Sequence, residues 1–136
     1  VLSTRDVDAI YMHSDCVYSE STVQTLKEMD QYAPRGEDGH IFIAAIDGCS
    51  ANIALIREGS TDQASGQPIP DFGSMVVEYI QKKLNGEVIE EGPVVQEGAL
   101  WSPAQLVMTD VGFQLYLSTT DISIDNVDNP GLWGNQ

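Results

Sequence analysis

The chain has 136 residues, enough for one ordinary domain with one real core. Its hydrophobic fraction of 42% and charged fraction of 20% describe a globular rather than a disordered sequence. Only 6 Lys and Arg stand against 21 Asp and Glu, so the net charge of -15 works against nucleic acid and anionic membranes as partners. No apolar run approaches the roughly 20 residues that a membrane-spanning helix needs. Val1-Leu2-Ser3-Thr4-Arg5 lacks the pattern of a signal peptide and does not open on methionine, so the expectation is a mature product or an excised piece.

Strand and helix signals alternate from the N-terminus. Val7 to Met12 is rich in β-formers and predicts a buried strand, ending at the polar His13-Ser14-Asp15. Asp15 is suited to cap a helix. Val23, Leu26 and Met29 recur at three-residue steps, which predicts an amphipathic helix over 16–29. Pro34, Gly36 and Gly39 mark a loop. His40 to Ile46 is almost wholly apolar, as for a strand covered on both faces, and stops at Asp47-Gly48. A short helix over 50–58 opens at Ser50 and ends at Gly59.

Residues 60–65 predict a third strand, and Gly66 to Pro70 a stiff crossing segment. Asp71 can cap a helix over 71–85, whose Phe72, Met75, Val76, Tyr79 and Ile80 fall on one face before Gly86. Between 95 and 118, two apolar runs fit strand or helix equally well. Ile122-Ser123-Ile124 alternates like a short strand, and Asn126 to Gly134 reads as a loop. Strand, helix, strand, helix in these lengths predicts βαβ crossovers and a parallel sheet.

Ligands of open parallel sheets bind beyond the C-terminal strand ends. That rim carries His13-Ser14-Asp15, Asp47-Gly48-Cys49 and Ser65-Gly66-Gln67, whose carboxylates and amide suit a polyhydroxylated ligand. The plainer alternative is that Asp15 and Ser50 cap helices while Asp47 and Gly48 make a turn. His13, Cys16 and Asp47 form a nucleophilic triad only on paper, because no nucleophile elbow is present. Cys16 and Cys49 have no metal-ligand spacing and read as small hydrophobes. Glycine spacings match no phosphate loop, Asp125 and Asp128 read as a solvated turn, and Trp101 and Trp133 read as packing residues.

These motifs together resemble periplasmic sugar-binding proteins of ABC transporters. Asp8 to Asp15 is similar to the family's strand ending in Asn-Asp, with Ser14 standing where the family usually has Asn. Ile43 to Gly48 and Ala54 to Gly59 resemble its next strand-Asp-Gly-helix-Gly unit. Gln67, six residues before Gly73, matches its hinge-crossing glutamine, and Asn126 to Asn135 resembles its closing segment. The likeness covers about residues 6–91 and 121–135. Family receptors are about twice this length, so the chain resembles a C-terminal portion without the first lobe.

The resemblance implies an α/β fold, a parallel-sheet three-layer lobe of the type I periplasmic-binding-protein fold. It implies one domain over 1–136, with a hinge crossing at 66–71 and a closing tail at 119–136. It also implies non-covalent binding of a small polar ligand, a monosaccharide, by Ser14, Asp15, Asp47 and Gln67, with no catalysis, metal or cofactor. Its partners would be an ABC permease and the absent N-terminal lobe, in a periplasmic or extracellular setting with a lipid anchor on the intact protein. Self-association through helix 71–85, deprived of its lobe, is a further expectation. The effector-binding domain of a LacI-type transcription regulator shares this fold and is the alternative. A flavodoxin-type domain would want an acidic pair at the first strand end and a late lysine, and Lys27, Lys82 and Lys83 do not supply it.

Overall fold

The computed structural model describes residues 6–136, so the reading of Val1 to Arg5 lies outside the described residues. The chain is a mixed α/β protein whose first part alternates as its apolar pattern predicts: β1 (Ala9–Met12), α1 (Asp15–Glu28), β2 (Phe42–Asp47), α2 (Ser50–Glu58) and β3 (Gln63–Gly66). α3 (Ile69–Leu84), β4 (Gly92–Val94), β5 (Ala104–Thr109), β6 (Gly112–Tyr116) and β7 (Thr120–Ile122) come next, with a 3-10 turn at Trp133–Asn135. No described helix is long and apolar enough to cross a membrane.

The chain divides into two compact units. The first comprises residues up to Gln67 together with Asp121–Gln136, and the second is Pro68–Thr120. The divisions fall inside the expected crossing at 66–71 and at the start of the expected tail.

The first unit holds a sheet of order β1-β2-β3-β7, in which β1, β2 and β3 run parallel. Register places Met12 beside Ala45 and Ala45 beside Ala64, on the face that α1 and α2 cover. Met12, Val23, Leu26, Ile41, Ile43 and Ala45 make one apolar cluster. Ile53, Ile56, Ala64, Ile122, Val127 and Leu132 make a second, which ties the tail to α2 and β3.

The strand through β2 differs from expectation. Its burial alternates, and on its other face Tyr11 of β1 and Phe42 stand 67% and 45% exposed. Continuous apolarity indicates two covered faces only when the chain supplies both covers. Within this unit it supplies one, so the third layer is not formed there.

At the N-terminal end of the sheet, Asp62 is the hub of a polar cluster. Its carboxylate accepts from Arg35 Nε at 3.1 Å, from the Ile43 amide at 2.7 Å and faces His40 Nε2 at 3.0 Å. His40 Nδ1 lies 2.8 Å from the Ala33 carbonyl, and Arg35 also donates to the carbonyls of Ile56 and Thr61. One carboxylate thus ties the 33–40 loop to β2 and the start of β3. The same loop packs at Gly59, whose φ of 81° ends α2 in the left-handed conformation that glycine adopts cheaply.

In the second unit β4, β5 and β6 form an antiparallel sheet, which settles the ambiguous 95–118 stretch as a hairpin. Asp110 and Val111 turn the chain, with the Thr109 hydroxyl donating to the Gly112 carbonyl at 2.7 Å. α3 starts two residues earlier than predicted, behind Pro68, so Asp71 sits in its first turn and makes no side-chain cap. Among the described residues none of the α3 side chains is buried, and Val76, Ile80 and Leu84 are 58%, 53% and 80% exposed.

Replacement of Asp62 should test the cluster at the sheet's N-terminal end. Asp62→Ala strands the Ile43 amide and removes the partner of Arg35, and should cost about 3 kcal/mol in urea unfolding. A loss below about 1 kcal/mol would mean that the cluster contributes little.

Candidate functional site

Three parallel strands end side by side, and each contributes one polar side chain just at or beyond its C-terminus. Ser14 lies just past β1, Asp47 ends β2 and Gln67 lies just past β3. The Ser14 hydroxyl donates to Asp47 Oδ2 at 2.6 Å, and Gln67 Nε2 donates to Asp47 Oδ1 at 3.0 Å. All three residues are half-buried. Three of the four residues chosen from the sequence therefore meet in one hydrogen-bonded row.

The fourth does not join them. Asp15, expected on the ligand wall, is 1% exposed and turned into the protein. Nor does it cap its own helix: Ser14 is the α1 N-cap, and its hydroxyl is diverted to Asp47. The Asp15 carboxylate reaches across to the start of α2, where it accepts from the amides of Gly48 at 2.7 Å and Cys49 at 3.2 Å. Asn52 Nδ2 donates to it at 3.1 Å, and the Thr61 hydroxyl donates in turn to Asn52 Oδ1 at 2.9 Å. A carboxylate at a helix N-terminus satisfies orphan amides and meets the positive end of the helix dipole. Cys49, not Ser50, is the α2 N-cap residue, which leaves this outside carboxylate to do the capping.

Asp47 has an unusual backbone, with φ at 110°. Non-glycine residues seldom sit there, and the conformation costs on the order of 1–3 kcal/mol. It persists because both flanks hold it. The Asp47 carbonyl accepts from the Gln67 amide at 3.0 Å and from Trp133 Nε1 at 2.8 Å, and the next two amides are held by Asp15. Gly48 is equally constrained. A Cβ there would lie 2.6 Å from Ile122 Cδ1 and 3.2 Å from the Gly66 Cα. Gly134 packs from the tail onto the same turn, where a Cβ would come within 2.5 Å of the Gly48 carbonyl. Half-buried Trp133 thus braces the site through its indole N–H.

Each Asp47 oxygen has accepted one hydrogen bond and keeps capacity for another. Among the described residues no cation pairs with it. Gln67 Oε1 and the Ser14 oxygen add further acceptors, and Gln67 Nε2 a second donor. The row therefore presents both donors and acceptors.

Other candidates fall elsewhere. The His13 ring packs on Tyr18 at 5.0 Å between centroids, and no described hydrogen bond joins it to Cys16 or Asp47. Asp128 is engaged by Arg57 in an exposed ion pair at 2.8 Å. Trp101 is buried in the second unit. A cavity of about 310 Å³ lies at the opposite, N-terminal end of the sheet, lined by Val7, Gln31, Tyr32 and Ile41 among others. Ligand sites of parallel sheets form at the other end, where strand termini and helix N-termini converge, which makes the Ser14–Asp47–Gln67 row the candidate site.

Beside that row, the side-chain ligand atoms of Asp15, Cys16 and Cys49 all lie within 4.8 Å of one another. Both cysteines are free thiols. Partial burial, and then hydrogen bonding with Cys49 and Asp15, pushes the Cys16 thiol well above its ordinary range. Burial likewise pushes the Cys49 thiol up. Sequence separation hid this grouping, since the two cysteines are far apart along the chain and meet only through the βαβ crossover.

A scan against protein-family models finds no match to this chain, and a search of curated proteins finds none either.

Removing the buried carboxylate should loosen the whole turn. Asp15→Ala leaves the amides of Gly48 and Cys49 and the Asn52 amide group without their acceptor, and should lower unfolding free energy by about 3 kcal/mol. Equilibrium denaturation would check this. An unchanged midpoint would show that Asp15 does not hold the turn.

Proposed function

We propose that the chain is the ligand-binding lobe of a sugar receptor of the ABC-transporter type, with the type I periplasmic-binding-protein fold. The observation that carries the reading is the Ser14–Asp47–Gln67 row across three adjacent strand ends. Its support is chemical. A carboxylate without a cation, held rigid by neutral donors and flanked by an amide and a hydroxyl, matches the alternating donors and acceptors of a monosaccharide. Holding Asp47 at an unfavourable φ pre-orients those oxygens, so less ordering entropy is lost on binding.

In this reading the site binds and does no chemistry. The ligand lies between this rim and an N-terminal lobe, the lobes close by a hinge at the 66–71 crossing, and the closed form is recognised by a membrane permease. Asp47 accepts from two ligand hydroxyls, Gln67 contacts ligand from the hinge, and Ser14 lines the wall. Asp15 supports the turn from behind. The isolated rim encloses little of a ligand, so its own affinity is weak.

Calorimetry on the two-lobed parent protein with a panel of pentoses and hexoses tests the reading. Asp47→Ala should weaken binding of the preferred sugar by about 1.5–3 kcal/mol, the value of a hydrogen bond to a charged group. Asp47→Gly should abolish the same contacts while keeping stability within about 1 kcal/mol, because glycine relieves the positive φ. No sugar binding, or wild-type affinity in Asp47→Ala, would refute the assignment. The reading frame upstream of Val1 separates it from the regulator alternative, which requires a helix-turn-helix.

The exposed apolar face of α3 bears on partners. In the receptor reading it belongs against the absent lobe, and without that lobe it pairs with a second copy of this chain. Light scattering should show a concentration-dependent dimer that the double substitution Val76→Glu, Ile80→Glu abolishes. A monomer at all concentrations would exclude self-association.

A further inference from the structure

We infer that Cys16 and Cys49 form a reversible intramolecular disulfide that staples α1 to the start of α2 directly behind the Ser14–Asp47 row. The grounds lie within the first unit. The two sulfurs are within 4.8 Å of each other, although a helix and a strand separate them in sequence. Cys16 lies in the first turn of α1, and Cys49 is the N-cap residue of α2. Both backbones are already tied to one group, since Asp15 precedes Cys16 and accepts the Cys49 amide at 3.2 Å. Closing the remaining gap brings the sulfurs from within 4.8 Å to about 2.05 Å, the length of a disulfide bond.

A metal is the competing use of this cluster, and the geometry disfavours it. Asp15 Oδ1 already accepts from the Cys49 amide and the Cys16 thiol, and Oδ2 from the Gly48 amide and Asn52. All four lone-pair positions of the carboxylate are occupied. That leaves two thiols, which suit a bond to each other better than a closed metal site of four ligands.

The two sulfurs differ in access, which sets the order of events. Cys16 is exposed and Cys49 buried. The oxidant is a disulfide, either a small molecule or a protein dithiol-disulfide couple. The Cys16 thiolate, scarce because burial and hydrogen bonding push its thiol up, attacks one sulfur of the oxidant slowly and expels the other as a thiol, so the exchange must be followed to equilibrium. The Cys49 thiolate then attacks the Cys16 sulfur of the mixed disulfide and expels the second thiol. Two electrons and two protons pass from the cysteines to the oxidant, which leaves as two thiols.

The consequence concerns the rim. Each cysteine stands two residues after a row residue: Ser14 before Cys16, and Asp47 before Cys49. The staple would fix the spacing of those two side chains. The proposal itself does not rest on the sugar reading.

Equilibration of the reduced full chain with oxidised and reduced glutathione at mildly alkaline pH, then alkylation and mass spectrometry, is the test. The expected product is a monomer lighter by two hydrogens, with Cys16 and Cys49 in one cross-linked peptide and a thermal midpoint raised by several degrees. Reductant should reverse all three. Cys49→Ser should stop at a Cys16–glutathione mixed disulfide with no rise in midpoint. Two free alkylated thiols, a glutathione on each cysteine, or covalent dimers in place of the internal bond would each overturn the proposal.

Discussion

A single buried carboxylate organises the C-terminal rim of the parallel sheet. Asp15 leaves its own helix uncapped and commits its oxygens to the amides of Gly48 and Cys49 and to Asn52. Those contacts bind α1, the β2–α2 turn and α2 into one polar knot under the surface. Asn52 and Thr61 extend the knot to the segment that enters β3. A buried polar network is stabilising only when every member is satisfied. Here the carboxylate has no cation among the described residues, and neutral donors and the end of a helix take that role.

The surface consequence is a strained residue in a fixed place. Asp47 is held at positive φ between Asp15 below, Trp133 at one side and Gln67 at the other. Strain of this kind survives where surroundings over-determine it. Two glycines make the arrangement possible: Gly48 lets Ile122 and Gly66 approach, and Gly134 lets the tail close over the turn. The tail thus acts on the rim through packing, far from it in sequence.

The two ends of the sheet solve burial differently. At the N-terminal end Asp62 is paired with Arg35 and faces His40, so charge is compensated where it is buried. At the C-terminal end the accessible carboxylate, Asp47, is left with neutral partners and spare acceptor capacity. The first arrangement is a satisfied strut. The second can still take a ligand, which is why the rim carries the functional proposal.

The order and type of the elements from β1 through α3 were legible in the sequence by itself. Apolar periodicity marked α1 and α3, the start and stop residues Ser50 and Gly59 marked α2, and β-rich runs ending at polar residues marked β1 and β2, because local burial patterns and helix ends impose those signals. The strand-end rule also located the three rim clusters, and the family resemblance picked Ser14, Asp15, Asp47 and Gln67 from them. The β5–β6 hairpin was not legible, since its short apolar runs fit either period; the turn-forming Asp110 to Gly112 between alternating strands was the available clue. Only the tertiary structure decided that Asp15 faces inward, that Asp47 is strained, that the first unit supplies a cover for only one face of its sheet and that the Cys16 and Cys49 thiols come together. Each depends on contacts between segments distant in sequence, and side-chain direction and partner choice are set by that packing rather than by local composition.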